Sequence, residues 1–151
     1  MPSNAGGQKA VVKELSKLLA STYTLYLKTQ NYHWNVTGPL FTSLHSLFET
    51  QYTELAAAVD EIAERIRALG ARAPGSFAEF AKLSVVEEAA GERSANDMIG
   101  DLVDDQKAIA DLAKSLIEAA EKAGDHATAD LATARVLAHE KNAWMLRSHL
   151  E

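Results

Sequence analysis

Two short stretches of this chain carry residues able to bind a redox metal. The first is His33-Trp34-Asn35-Val36-Thr37-Gly38, followed by Leu44-His45 and Glu49. The second is Val59-Asp60-Glu61-Ile62-Ala63-Glu64-Arg65, closing on Leu69-Gly70. Together His33, His45, Glu49, Asp60 and Glu64 form a mixed set of imidazole and carboxylate donors. Such a set is softer than the all-oxygen cages of magnesium and calcium and harder than a thiolate zinc site, which suits iron. The chain has no cysteine, so thiolate ligation and disulfides are excluded.

The spacing says how these residues can meet. His45 and Glu49 lie four residues apart on one helix face, and Asp60 and Glu64 repeat that spacing. Between His45 and Asp60 the helix rises roughly 22 Å, at about 1.5 Å per residue. Metal–ligand bonds are about 2 Å long, so the two pairs cannot share a metal within one helix. They lie on roughly the same side of it, however. An antiparallel copy packed about a two-fold axis near Glu54 and Leu55 would set His45 and Glu49 of one chain against Asp60 and Glu64 of the other. A two-fold interface is self-complementary, so two equivalent sites would form. His33 ends the preceding helix within chain reach of the same region. The expectation is a homo-oligomer whose single chain lacks a complete site.

The elements that carry these residues are helical. Val11, Leu15, Leu18, Leu19, Thr22, Leu25, Tyr26 and Thr29 mark one face of a helix from about residue 9 to 33. Residues 35–39 end it, and Pro39 suits a first helical turn. A second stripe, Leu44, Leu47, Phe48, Tyr52, Leu55, Val59, Ile62, Ile66 and Leu69, predicts a helix from about 39 to 69, stopped by Gly70. Ser76 with Glu79 reads as a capping box opening a short helix to about residue 82. A third long helix starts near Ser94, with Asp97 three residues on, and stops at Gly124. Its stripe is Met98, Ile99, Leu102, Ile109, Leu112, Leu116 and Ile117. The fourth starts near Asp125 and runs to about residue 149, with Leu131, Val136, Leu137, Trp144 and Leu146 as its apolar material. The long connection between the second and third helices lets the chain travel the length of a bundle. The fold class is therefore all-α: a ferritin-like four-helix bundle with a short extra helix in that crossover.

Length and composition agree. The 151 residues, 47% hydrophobic and 24% charged, form one globular domain, read as a short flexible arm over residues 1–8 and a bundle over 9–151. The net charge of −6 repels polyanions on average. No apolar run suits a signal peptide or a membrane span, and the expected location is cytoplasmic.

The two motifs, with this helix layout and the closing Trp144-Met145-Leu146 segment, resemble the Dps family, the ferritin-like "DNA-binding proteins from starved cells". The resemblance covers nearly the whole chain. It implies a dodecameric hollow shell with a di-iron ferroxidase centre at each dimer interface. His33, His45 and Glu49 would come from one subunit, and Asp60 and Glu64 from its partner. It implies oxidation of Fe²⁺ by hydrogen peroxide or O₂ and storage of the ferric product; at the histidine-containing site zinc is the candidate competitor. Where many relatives have Asp, this chain has Glu49, whose extra methylene would move the second iron. Trp34, beside His33, is placed to pack over the site and intercept stray oxidising equivalents. Family members have acids near the turn before the last helix that line iron-entry pores, which makes Glu121, Asp125 and Asp130 candidates. Asp125 equally reads as a helix N-cap.

Taken alone, Asp60 and Glu64 would pair with Arg65 or Arg67 on a solvated face. Trp144 reads as core packing, and His126, His139 and His149 as having no metal role. The four tyrosines fit core edges, and Glu87, Glu88 and Glu92 a solvated charge run. The alternative function is a nucleoid-associated, DNA-coating stress protein. Its support is thin: only Lys9 and Lys13 are basic near the N-terminus, and Arg65, Arg67 and Arg72 form a small group.

Overall fold

A computed structural model describes residues 5–150. The elements are α1 (Ala5–Asn35), α2 (Phe41–Ala68), the short α3 (Phe77–Leu83), α4 (Ala95–Lys122) and α5 (His126–Arg147). Among the described residues there is no strand. Helix α1 packs on α2, α3 and α4, α4 packs on α5, and α5 returns to α2, closing a four-helix bundle.

Local chemistry sets the helix ends. Ser76 and Ser94 accept hydrogen bonds from the Glu79 and Asp97 amides, starting α3 and α4 where the sequence places them. Gly70 and Gly124 have φ of 89° and 70° and follow the last turns of α2 and α4. Beyond each, a main-chain amide reaches back into the helix, Ala71 to Ile66 at 3.2 Å and Asp125 to Ala120 at 2.8 Å. Both are Schellman ends, which need the left-handed backbone that glycine adopts without strain.

The core is Leu and Ile at helical spacing: Leu15, Leu18, Leu25, Leu44, Phe48, Leu55, Ile62, Ile66, Ile99, Leu102, Ile109 and Leu116 are fully enclosed. Each such side chain contributes about 1.5–3 kcal/mol. The crossover is tied down by polar contacts. Buried Lys28 reaches Asp105 at 2.8 Å and the Glu87 carbonyl at 3.1 Å. The Val85 amide donates to Ser21 Oγ at 2.9 Å.

Two expectations change. Helix α1 already runs at Ala5, so residues 5–8 are helical rather than part of an arm, and Gln8 Nε2 donates to the Leu69 carbonyl at 2.8 Å. The rest of that arm, residues 1–4, lies outside the described residues, as does Glu151. Leu55 points into the core, as its place in the apolar stripe of α2 predicts, and the residues exposed at that level are Thr53, Glu54, Ala56 and Ala57. Finally, Trp144 is not core: it is 58% exposed and Leu137 67% exposed. The inward stripe of α5 is Thr128, Ala132, Arg135, His139, Ala143 and Leu146. That stripe carries a guanidinium and an imidazole, which apolar periodicity cannot reveal.

Candidate metal centre

The centre begins with the α1–α2 turn. Gly38 at φ 106° reverses the chain, the Phe41 amide closes onto the Gly38 carbonyl at 3.0 Å, and buried Val36 and Leu44 seat the turn on the core. This brings the end of α1 against the first turns of α2. The His33 and His45 rings stack with centroids 3.7 Å apart and 12° between planes. His33 Nδ1 sits 2.7 Å from the His45 carbonyl oxygen, and His45 Nδ1 sits 2.7 Å from the His33 carbonyl oxygen. A carbonyl only accepts, so each Nδ1 is the donor, and in the neutral ring that leaves the lone pair on Nε2. Both imidazoles are in the tautomer that binds a metal through Nε2.

Aromatic rings finish this half. Phe41 stacks on His45 at 5.0 Å, and Tyr52 meets His33 edge-on at 5.2 Å. The sequence reading assigned neither ring to the site; the available signal was helical spacing, Phe41 lying one turn before His45. Trp34 is 61% exposed in the single chain, and the rings that touch the two imidazoles are each other, Phe41 and Tyr52. Glu49 follows His45 by one turn with its side chain exposed.

The other half lies further along α2. Asp60 and Glu64 are exposed, and neither takes an arginine partner. Arg65 turns to Asp125 at 2.9 Å and to Thr128 Oγ1 at 2.9 Å, while Arg67 donates to the Ala71 carbonyl. The two carboxyls face each other instead. Hydrogen bonding with Asp60, reinforced by its charge, holds the Glu64 carboxyl above the usual range. A cation placed between them would relieve that repulsion. Within the chain the halves stay apart: among the described residues no group of three or more His, Asp or Glu side chains converges to hold an ion.

The three pore candidates diverge. Asp125 caps α5, accepting from the Thr128 amide at 3.0 Å and the Thr128 hydroxyl at 2.5 Å while paired with Arg65. Partial burial pushes its carboxyl up, but the bonds to Thr128 and the Arg65 charge outweigh this and hold it below the ordinary value. Asp130 is exposed and lines a groove of about 490 Å³ with Glu61, Glu64 and Arg65. Glu121 is exposed near the end of α4. His139, at the centre of the α5 stripe, is fully buried between Gln106 Oε1 at 2.6 Å and Arg135 Nη2 at 3.1 Å.

This bundle, with its crossover helix and its histidine–carboxylate faces, is a ferritin-like protein. Residues 12–151 match the ferritin-like domain family. DNA protection during starvation protein 2 of Bacillus anthracis is 38% identical over 94% of this chain and 97% of its own. The Dps of Staphylococcus aureus superposes with a TM-score of 0.93 at 40% identity, covering 95% of this chain and 97% of that one. A Dps protein of Vibrio cholerae, described as a member of a broad superfamily of ferritin-like diiron-carboxylate proteins, superposes with a TM-score of 0.92 at 32% identity, covering 97% and 92%. The chain belongs to the Dps family, the stress-protective mini-ferritins. No helix among its described residues is long and apolar enough to cross a membrane.

Proposed function

We propose that this protein is a ferroxidase and iron store. It takes Fe²⁺ and hydrogen peroxide or O₂ as substrates, at centres shared between two copies of the chain. The ferric product is kept within a closed homo-oligomeric shell, a dodecamer by family likeness. One observation carries the reading: α2 presents two incomplete, complementary half-sites. At one end are two imidazoles with available Nε2 lone pairs and an exposed Glu49. At the other are two carboxyls without a cationic partner. Both sets are equidistant in sequence from the level of Thr53 and Ala56, whose small side chains allow a second α2 to approach closely. An antiparallel copy supplies each half with the other.

The donor types suit the reaction. Imidazoles hold Fe²⁺, and Asp60 and Glu64 favour the harder Fe³⁺ as it forms. Asp130 and Glu61 add negative charge beside Glu64, which concentrates cations near the site. With peroxide, each of two Fe²⁺ gives up one electron and the peroxide, taking two protons from solvent, leaves as two waters, so both ingredients of hydroxyl-radical chemistry disappear together. Zinc fits the same imidazole–carboxylate set and would compete. This removal accounts for protection of DNA without DNA contact. Arg65 and Arg72 are paired with Asp125 and Glu79, and Arg67 with a carbonyl.

The test is anaerobic loading of metal-free protein with Fe²⁺, then addition of peroxide, following ferric absorbance and peroxide consumption together. Fast oxidation that is lost in Glu64→Ala and slowed by Zn²⁺ is the expected result. Oxidation no faster than in buffer would overturn the reading.

A further inference from the structure

A line of aromatic contacts leaves the histidine pair and crosses the subunit. Tyr52 on α2 stands edge-on to His33 at 5.2 Å and 76°. Tyr26 on α1 stands edge-on to Tyr52 at 5.9 Å and 69°. Tyr23, one turn before it, is edge-on to Tyr26 at 5.8 Å and 70°. Tyr23 then meets Phe80 at 5.1 Å and exposed Phe77 at 6.4 Å, in an open groove of about 540 Å³ that it lines with Thr24, Leu27 and Lys28. Edge-to-face pairs at such separations are in van der Waals contact. Three of the four tyrosines thus form one path. The fourth, Tyr32, is buried and donates to Asp101 at 2.7 Å, which gives it a structural task.

We infer that Tyr52, Tyr26 and Tyr23 form an electron relay that carries oxidising equivalents from the metal centre to the α1–α3 groove. The relay rests on the ferroxidase reading for its physiological oxidant. A lone Fe²⁺ meeting peroxide yields Fe³⁺, hydroxide and a hydroxyl radical. The radical takes a hydrogen atom from the Tyr52 phenol and becomes water. The Tyr52 radical takes an electron from Tyr26 and is reprotonated from water, while Tyr26 loses its phenolic proton to water. The same exchange passes the hole to Tyr23. All three phenols are only partly buried, so water can give and take these protons. At Tyr23 a small thiol reductant donates a hydrogen atom through the groove, restores the phenol and leaves as a thiyl radical. The relay carries the hole away from the histidine pair and from Trp34, the exposed neighbour of His33.

The absence of native cysteine permits a test without iron. Full-length protein carrying Ser46→Cys, next to His45, is labelled with a ruthenium polypyridyl photo-oxidant and flashed in the presence of an electron acceptor. Radicals are spin-trapped and located by mass spectrometry. The adduct is expected on Tyr23, to vanish in Tyr52→Phe and in Tyr26→Phe, and to persist in Tyr32→Phe. Helical circular dichroism checks that each variant is folded. An undiminished Tyr23 adduct in Tyr52→Phe, or an adduct on Trp34 in its place, overturns the relay. A parallel arm with Fe²⁺ and peroxide reads tyrosyl radical by freeze-quench paramagnetic resonance. Absent iron oxidation there, with photochemical transfer intact, overturns the ferroxidase reading and supports the relay.

Discussion

His33 and His45 hold one another by a reciprocal pair of bonds, each Nδ1 donating to the other's main-chain carbonyl at 2.7 Å while the rings stack at 3.7 Å. The arrangement fixes both tautomers before any metal arrives, so metal binding at Nε2 need not reorient either ring.

It follows that nitrogen-15 spectra of the neutral rings in metal-free protein should show both protonated at Nδ1 and bare at Nε2. His45→Ala should lower unfolding stability by about 1–3 kcal/mol, through one lost hydrogen bond and the lost ring contacts with His33 and Phe41. An Nε2–H tautomer at either residue would contradict the preorganised centre.

The shared-centre reading makes a prediction about mixtures. His45→Ala and Glu64→Ala chains should each be inactive alone. In a mixed dimer one centre carries both substitutions and the other carries neither, so ferroxidase activity should return when the two proteins are combined under subunit exchange. No recovery, with exchange demonstrated by mass spectrometry, would place the centre within one chain.

His139 predicts a pH dependence. Burial, helped by the Arg135 charge, lowers its pKa from 6.5 to about 3. The folded protein holds it neutral while the unfolded chain protonates below about 6.5. Its contribution to stability is therefore complete above that value and is lost progressively as pH falls toward 3. Between pH 7 and pH 5 the loss should be about 2 kcal/mol in denaturant titrations. His139→Gln should flatten that slope, and an unchanged slope in the variant would show that other groups cause it.

The start of α5 depends on Asp125. Asp125→Ala removes the bonds from Thr128 and the Arg65 partner, and should cost about 1–2 kcal/mol at neutral pH. Asp125→Asn keeps the cap and loses only the charge, so about 0.5–1 kcal/mol is expected. Because the Asp125 carboxyl is held below its ordinary value of 3.8, the wild-type advantage should be complete above that value and fade as pH falls through the lowered one. Equal stability of all three proteins at pH 7 would reject the capping role.

Much of the fold was legible along the chain because helix signals are local. Stripes at three-and-four spacing marked α1, α2 and α4. Ser76 and Ser94 marked helix starts, and Gly70 and Gly124 marked ends, because capping and left-handed turns are decided by residues within one turn of each other. The α5 stripe was misread for a related reason: its inward positions hold Arg135 and His139, acceptable there only because Glu54 and Gln106 on other helices pair with them. Hydropathy carries no trace of such partners.

Of the candidate metal centre, the sequence alone determined which donors exist, that His45 with Glu49 and Asp60 with Glu64 share a helix, and that within one chain these pairs are too far apart to serve one ion. Those conclusions need only residue identity and helical rise. Tertiary structure decided what depends on contact between distant segments: the stacked, tautomer-locked imidazoles, the withdrawal of Arg65 to Asp125 that leaves Asp60 and Glu64 facing each other, and the tyrosine path from His33 to the α1–α3 groove. Each is set by the packing of one helix on another, and several arrangements of side chains are compatible with the same periodicity until that packing selects one.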